Sequence, residues 1–254
     1  MKPILSVITV VYNNVDFIHE AINSVLSETL PSIEYIIIDG KSTDGTVSVI
    51  ESYGLKITKF VSARDNGLYD AMNKGVSIAT GDYVSFINAD DYYVPEALGV
   101  VVKNLMSQSP DVLYADLDYI NNEKQVQRCW RPGKFNPDNL KNLWIPPHPT
   151  TFIRRKLIIK AEGFDLKYKL AADYDLILKV LSGAEKVIYL DTVLVKMRLG
   201  GATNVSWENI IKQNVEIFMS YKRQFNRYPV LKFFIKLVNR FYQVNRAKKF
   251  RNKR

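Results

Sequence analysis

The sequence predicts an α/β fold built on a mainly parallel central sheet, and three observations carry that prediction. Over the first 120 residues, short β-branched runs alternate with helix-like segments in a βαβα series. The strand runs are apolar almost without a break, as strands covered on both faces must be. Each run stops at a cluster of polar residues, and in such folds the carboxyl ends of the strands open onto one ligand crevice.

In chain order, "ILSVITVVY" is the first strand and ends at Tyr12-Asn13-Asn14, and "VDFIHEAINSVLSE" is the first helix. "EYIIIDG" ends at Asp39-Gly40 and leads into the helix "STDGTVSVIESY", where Ser42 or Asp44 suits an N-cap. "ITKFVS" ends at Arg64-Asp65-Asn66, followed by the helix "LYDAMNKGVSIA". "DYVSFIN" ends at Asn88-Ala89-Asp90-Asp91, followed by the helix "PEALGVVVKNLM". Beyond residue 110 come strand-like "DVLYADLDYI" and "VQRCWRP", a Pro-rich "IPPHPTTFIRR" and a helix opening at "AADYDLILKVL". This half is expected to fold against the first. From Trp207 two further helical patterns follow, the second from Tyr228 through Arg246.

With 254 residues and 47% hydrophobic content, the chain can bury a substantial core. Its net charge of +9 is a property of one end: from Tyr221 onward there are twelve basic residues and no acid, while the preceding 220 residues carry 23 basic and 26 acidic side chains. In that basic end, Lys232, Lys236, Asn239 and Gln243 oppose a face of Leu231, Phe234, Ile235, Val238, Phe241 and Tyr242. A basic amphipathic helix of this kind suits an anionic membrane surface; the competing reading packs the apolar face on the domain. No aromatic platform or reading motif points to nucleic acid, so no such partner is expected. No apolar run approaches the roughly 20 residues that cross a bilayer, and the lone Cys129 forms no internal disulfide. The apolar run Ile4 to Val11 is too short for a secretory leader, so the expected address is cytoplasmic, peripheral on the inner face of the cytoplasmic membrane.

Two adjacent carboxylates, Asp90 and Asp91, repel each other in a crevice unless a cation or donor group joins them. Hard oxygen ligands suit Mg²⁺ or Mn²⁺, whereas the bland alternative is a cap for the helix near Pro95. Asp39, at a strand tip before a glycine, can accept from a base or ribose. His148 is a ligand, an acceptor contact or an exposed loop histidine, and with His19 as the only other histidine no zinc site is expected. Trp130 and Trp144 read as core or wall residues. The "LGGATN" loop, with Lys196 and Arg198, can close over a diphosphate or be an ordinary turn.

In their order, "SVITVVYNN", "IIIDGKSTDGT", "ARDNGLYDAMNKGVSIATGDYVSFINADD" and "AADYDL" resemble the family 2 glycosyltransferases, over about residues 3–200. "MRLGGATN" is further similar to members that assemble bacterial polysaccharides. The resemblance implies a GT-A fold, a Rossmann-like architecture, over residues 1–204, with a nucleotide-sugar-binding half (1–110), an acceptor-binding half (111–204) and a basic amphipathic helical extension (205–254). It implies a nucleotide-sugar donor, a UDP-sugar in preference to a GDP-sugar, and Mg²⁺ or Mn²⁺ as cofactor. Carried over by position, Thr9, Val11 and Asn13 line the nucleotide and Asp39 reads the base. Arg64, Asp65, Asn73 and Lys74 lie near the donor ribose and sugar. Asn88, Ala89 and Asp90 match the DxD-type motif, with Asp90 and Asp91 on the metal; Asn88 replaces the usual first Asp and can still donate to or accept from a hydroxyl. Asp173 matches the general base, with Ala172 where Glu is common; an N-cap is its alternative role, and Asp175 is the backup base.

The expected activity is inverting transfer of a sugar to a lipid-diphosphate-linked saccharide in O-antigen, capsule or exopolysaccharide synthesis. Two other classes remain at this stage. One is a nucleotidyltransferase making nucleotide sugars, which calls for a Gly-rich basic loop where this chain has "VVYNN". The other is a non-catalytic nucleotide-sugar-binding partner of a membrane complex.

Overall fold

The computed structural model describes residues 2–28, 30–199 and 207–227. The amino-terminal half runs β1 (Leu5–Val11), α1 (Ile18–Leu26), β2 (Ile33–Asp39), α2 (Thr46–Glu51), β3 (Lys59–Ser62), α3 (Leu68–Ile78), β4 (Tyr83–Asn88), β5 (Tyr92–Tyr93) and α4 (Ala97–Gln108). The second half adds β6 (Val112–Ile120), β7 (Val126–Trp130), α5 (Pro137–Leu140), a 3-10 turn (His148–Thr150), β8 (Thr151–Arg154), α6 (Arg155–Lys160), α7 (Ala172–Ser182), β9 (Val187–Arg198) and α8 (Trp207–Phe225). The fold is α/β with a carboxyl-terminal helix, as the sequence predicts.

Among the described residues, the strands form one sheet in the order β3-β2-β1-β4-β8-β6-β9-β5, with β7 on β6. β3, β2, β1 and β4 are mutually parallel. The Pro-rich stretch hides β8, which runs antiparallel between β4 and β6 and so joins the two halves into one sheet. Side chains alternate along β1: Ile8 and Val10 enter one core with Met72 and Val76 of α3 and Leu176 and Ile177 of α7. Leu5, Val7 and Val11 enter the other, with Ile18 and Ile22 of α1 and Leu98 and Val101 of α4. A strand apolar at every position is the signature of a sheet with two covered faces.

Neither acid of the Asp90-Asp91 pair caps α4. Glu28 does so from α1's side, accepting from Leu98 N–H at 2.9 Å and Gly99 N–H at 2.5 Å. α8 is built into the domain: Ile217 and Tyr221 belong to the α3/α7 core, and Tyr221 O–H donates to Lys141 O at 2.9 Å. The amphipathic pattern from Tyr228 to Arg246 and the Gly200-Gly201 loop lie outside the described residues.

At the end of the sheet remote from the crevice, the Glu34 carboxylate ties three strands together. It accepts from Ser6 Oγ of β1 at 2.6 Å, Lys59 Nζ of β3 at 2.7 Å, and Thr80 N–H at 2.7 Å. Burial pushes Glu34 up, yet the bonds from Lys59, Ser6 and Thr80 outweigh it and hold the carboxyl at about 2, against an ordinary 4.5. A depressed folded pKa stabilises fully above the unfolded value, and that stabilisation is lost as pH falls toward and through the folded one. Acid denaturation followed by circular dichroism should therefore show a stability decline between about pH 4.5 and 2. Glu34→Gln should be less stable at pH 7 and should flatten that segment of the curve; an unchanged slope would remove Glu34 from the acid transition.

Candidate active site at the strand tips

The parallel register brings the strand ends into one row, with Val10 opposite Asn88, Val11 opposite Asp39, and Asp39 opposite Ser62. Of the β1 residues expected to line a nucleotide, Thr9 is fully buried with its hydroxyl 3.0 Å from Tyr35 Oη, and Val11 is buried in the core. Neither side chain reaches the crevice, because a strand covered on two faces exposes side chains only beyond its end. The exposed residue there is Tyr12, at 66%. Its ring, Gly40 and Asp65 meet at the tips of β1, β2 and β3: a methyl on Gly40 would sit 2.8 Å from Asp65 Oδ2 and 3.3 Å from the Tyr12 ring.

Asp39 is fully buried and organises the loop beyond it. Its Oδ2 accepts from Lys41 N–H and Ser42 N–H, both at 3.0 Å, and from Ser62 Oγ at 2.6 Å; its Oδ1 accepts from Ser42 Oγ at 2.5 Å. To read a base, the carboxylate must exchange one of these donors. Asn13, at φ 48°, is the second organiser: its N–H donates to Ser42 Oγ and its Oδ1 accepts from Thr43 N–H, each at 2.8 Å. The 40–44 loop is thus shaped by Asp39 and Asn13 together.

On α3 the expected donor contacts separate. Lys74 Nζ donates to Arg64 O at 2.9 Å and pairs with Asp70 at 3.0 Å, while Asp65 accepts from Gly67 N–H at 2.9 Å, so these residues shape the 64–67 loop. Asn73 turns away from the strand tips. Its Nδ2 donates to Phe164 O and its Oδ1 accepts from Phe164 N–H, each at 2.9 Å. Its expected donor contact is corrected to a clamp between α3 and the 163–164 turn, where Gly163 takes φ +69° and a methyl would lie 2.5 Å from Asn73 Oδ1.

The two adjacent carboxylates have different surroundings. Asp91 is 1% exposed, and each of its oxygens is engaged: Oδ1 accepts from Arg198 N–H at 2.9 Å and Oδ2 from Asn88 Nδ2 at 2.8 Å. Asp91 therefore braces the β4 loop against β9, with each oxygen already engaged by the protein. Asp90 is half-buried beside the buried Ala89 and, among the described residues, takes no bond from another side chain. Burial raises both carboxyls; the Asp90 charge raises Asp91 further, against Asn88 and Arg198, which lower it. Arg198 itself is buried, pairs with Glu20 and lies 4.5 Å over the Phe17 ring, and Lys196 pairs with Asp118 at 2.8 Å. Both cations expected over a diphosphate are paired with carboxylates.

Asp173 lies in the first turn of α7 but does not cap it. The chain entering the helix is held from α8: Glu216 accepts from the N–H groups of Lys169 and Leu170, before the helix, and of Ala171 at its N-cap position, at 2.9, 2.8 and 2.9 Å. Asp173 is half-buried, and its Oδ1 accepts from Tyr69 O–H at 2.9 Å. The backup, Asp175, is 1% exposed and accepts from Ser220 Oγ at 2.7 Å, with Lys179 at 2.7 Å and Arg223 at 3.2 Å. It holds α8 to α7 and is withdrawn as a base. His148 is half-buried rather than loose: it stacks on Phe86 at 5.3 Å and meets Phe164 edge-on at 6.0 Å. Burial lowers its pKa, opposed by the Asp173 charge. Trp130 stacks on Tyr119 at 6.4 Å, and Trp144 donates to Pro132 O at 3.1 Å, so both are wall residues.

Among the described residues, no three His, Cys, Asp or Glu side chains gather into a metal cage. A single open carboxylate still fits Mg²⁺ or Mn²⁺, which bind through one or two carboxylates plus waters and substrate phosphates. Asp90 is the half-buried carboxylate at the rim that is open to that role. Sequence reading passed over Tyr69 and Glu216, and it set Tyr12 at the crevice without giving it a role. Tyr12 was visible as the first polar residue beyond β1, and the i, i+4 spacing of Tyr69 and Asn73 sets both on one face of α3. Nothing local marks Glu216, which acts across 45 residues or more of chain.

The chain matches the family described as Glycosyl transferase family 2 over residues 6–161. An uncharacterized glycosyltransferase of Rickettsia typhi is 29% identical over 211 residues, covering 79% of this chain and 65% of the relative, so the match spans just under two thirds of that protein's length. In shape, the chain resembles S. aureus TarS (residues 1–349, in complex with UDP-GlcNAc), with TM-score 0.68, 21% identity, and 91% and 69% of the two chains covered. It also resembles the mannosyltransferase PcManGT of Pyrobaculum calidifontis in complex with GDP-Man and Mn²⁺, with TM-score 0.66, 20% identity, and 88% and 65% covered. With a family match over well more than half of its residues, on a GT-A sheet whose strand tips carry the motif acids, the chain belongs to glycosyltransferase family 2.

Proposed function

We propose that this glycosyltransferase inverts the anomeric centre as it moves a sugar from a nucleotide-sugar donor to a lipid-diphosphate-linked saccharide in bacterial surface polysaccharide synthesis. A UDP-sugar is the donor of choice over a GDP-sugar. The observation that carries the reading is Asp173: a half-buried carboxylate without a capping duty, with one oxygen held at 2.9 Å by Tyr69. In the proposed reaction, the acceptor O–H gives its proton to Asp173 as its oxygen bonds to the anomeric carbon. The bond from that carbon to the diphosphate breaks, and its electron pair leaves with the nucleoside diphosphate. A base is needed because a sugar hydroxyl is a weak nucleophile at neutral pH, and a single displacement inverts the centre.

Tyr12, Gly40, Asp65 and the 40–44 loop would hold the nucleotide, with Asp39 and Asn13 fixing the loop and Asn88 offering its amide to a hydroxyl. Asp90 would hold Mg²⁺ or Mn²⁺, whose chemistry is to neutralise the charge growing on the departing diphosphate. The basic carboxyl-terminal segment favours an anionic membrane surface, each cation near the surface being worth about 1 kcal/mol. No helix among the described residues is long and apolar enough to cross a membrane.

The test is a panel of UDP-glucose, UDP-galactose, UDP-GlcNAc and GDP-mannose with synthetic polyprenyl-diphosphate-GlcNAc, read by mass spectrometry. We expect one donor to add one sugar mass, EDTA to stop it and Mn²⁺ or Mg²⁺ to restore it; no mass gain with any donor sinks the reading. Asp173→Asn should lower kcat by about 10²- to 10⁴-fold while the variant still binds the nucleoside diphosphate. Activity undiminished in that variant would point to another base. Asp90→Ala should abolish the metal response with little change in Tm, whereas Asp91→Ala should cost about 1–3 kcal/mol of stability by leaving buried donors unpaired. Deleting residues 229–254 should release the protein from phosphatidylglycerol vesicles, and persistent binding would disprove the membrane role of that segment.

A further inference from the structure

The base of the proposed reaction sits at the end of a chain of contacts that no motif describes. Tyr69 is 7% exposed and its ring stacks on Phe164 at 5.5 Å, with 21° between the planes. Phe164 is fixed on two sides. The Asn73 amide holds its backbone N–H and C=O, and the Phe86 ring, two residues before the end of β4, meets it edge-on at 5.2 Å. His148 covers both phenylalanines. Tyr69 and Asn73 both belong to α3, so one helix grips the Phe164 turn and presents a hydroxyl to Asp173 of α7, 104 residues away in sequence.

A buried tyrosine hydroxyl takes a partner whatever its role, and what singles this one out is that its partner is the carboxylate of the proposed base. The hydroxyl here makes the only hydrogen bond that Asp173 receives from another side chain among the described residues. We infer that Tyr69 is a positioning residue for the base: anchored on Phe164 through the Asn73 clamp, its hydroxyl fixes one oxygen of Asp173 and leaves the other for the acceptor hydroxyl. The phenol stays a donor throughout, since burial and then the Asp173 charge push its ionisation well above the ordinary range. The Phe164 ring that stacks on Tyr69 is itself backed by Phe86 and His148, so the hydroxyl leaves from a packed apolar wall, and a hydrogen bond in low-dielectric surroundings is stronger than one in water.

This inference rests on reading Asp173 as the base, and a double-mutant cycle separates the two. Tyr69→Phe keeps the ring and its stacking and removes only the hydroxyl. With the most active donor from the panel and polyprenyl-diphosphate-GlcNAc, it should lower kcat about tenfold, as expected for losing a hydrogen bond of about 1.4 kcal/mol to a charged group. Both KM values, nucleoside diphosphate binding and Tm should stay close to those of the unmodified chain. In an Asp173→Asn background, Tyr69→Phe should change kcat less than twofold, because there is no longer a base to orient. Asn73→Ala, which frees Phe164, should lower kcat in the same direction and be less than additive with Tyr69→Phe. The inference is overturned if Tyr69→Phe keeps full kcat, or if its loss is as large in the Asp173→Asn background. If Asp173→Asn itself transfers sugar as fast as the unmodified chain, the base assignment fails and the role of Tyr69 falls with it.

Discussion

The crevice depends on one constraint, the parallel register of β1 with β2 and β4. That register sets Asp39 level with Ser62 and Asn88 one residue before them, so a carboxylate, a hydroxyl and an amide arrive at one rim from strands far apart in sequence. Side chains alternate along a strand, so a slip of one residue would exchange the two faces and turn Ile8 and Val10 into the wrong core. The register is pinned from the opposite end of the sheet. Glu34 of β2 accepts from Ser6 of β1 and Lys59 of β3, bonds that form together only when the three strands are in step. A buried ion pair adds little net stability and is costly when broken; here its effect is to make one alignment of the strand tips far better than its neighbours.

The adjacent carboxylates follow from the same geometry. Two unit charges about 4 Å apart repel by about 4 kcal/mol at an effective dielectric constant of 20, too much for a pair with one shared duty. The chain divides the duties instead. Asp91 turns into the protein, where Arg198 N–H and Asn88 Nδ2 satisfy it, and Asp90 alone is left at the rim. Asn88 then has a clear purpose: an aspartate there would put a third carboxylate against Asp91, whereas the amide donates to it. A departure from the motif is a local electrostatic adjustment.

What was legible in the sequence followed the chain locally. Apolar runs fixed β1 to β4, and the polar residue beyond each run located the rim, because strand periodicity and strand ends are written in consecutive residues. β8 was obscured by its prolines, which belong to the turn before it. The assignments that changed are those set by a distant partner. Thr9 is occupied by Tyr35, Asn73 by Phe164, Asp91 by Arg198 and Asp175 by Ser220 and Lys179, and none of these partners lies within four positions in sequence except Lys179. A polar residue in a motif announces that it makes a contact. Only the fold decides whether that contact is with the protein or with a ligand.

The clearest case is the start of α7. A helix begins with backbone N–H groups that have no partner within the helix, and an acidic residue at that point usually accepts from them. Asp173 is placed to do so and was open to that reading. Glu216 of α8 takes the N–H of Ala171, at the N-cap position, together with those of Leu170 and Lys169 in the chain just before it. An acid engaged as a cap has its oxygens committed to the backbone and turned back along the helix. Asp173, with no capping bond of its own, accepts from Tyr69 on one oxygen, and in the proposed reaction its other oxygen takes the substrate proton. Helix α8 is tied to α7 a second time: Ser220 and Arg223, one and two turns beyond Glu216, hold it to Asp175, so α8 secures both the entry to α7 and its first turns, between which Asp173 lies.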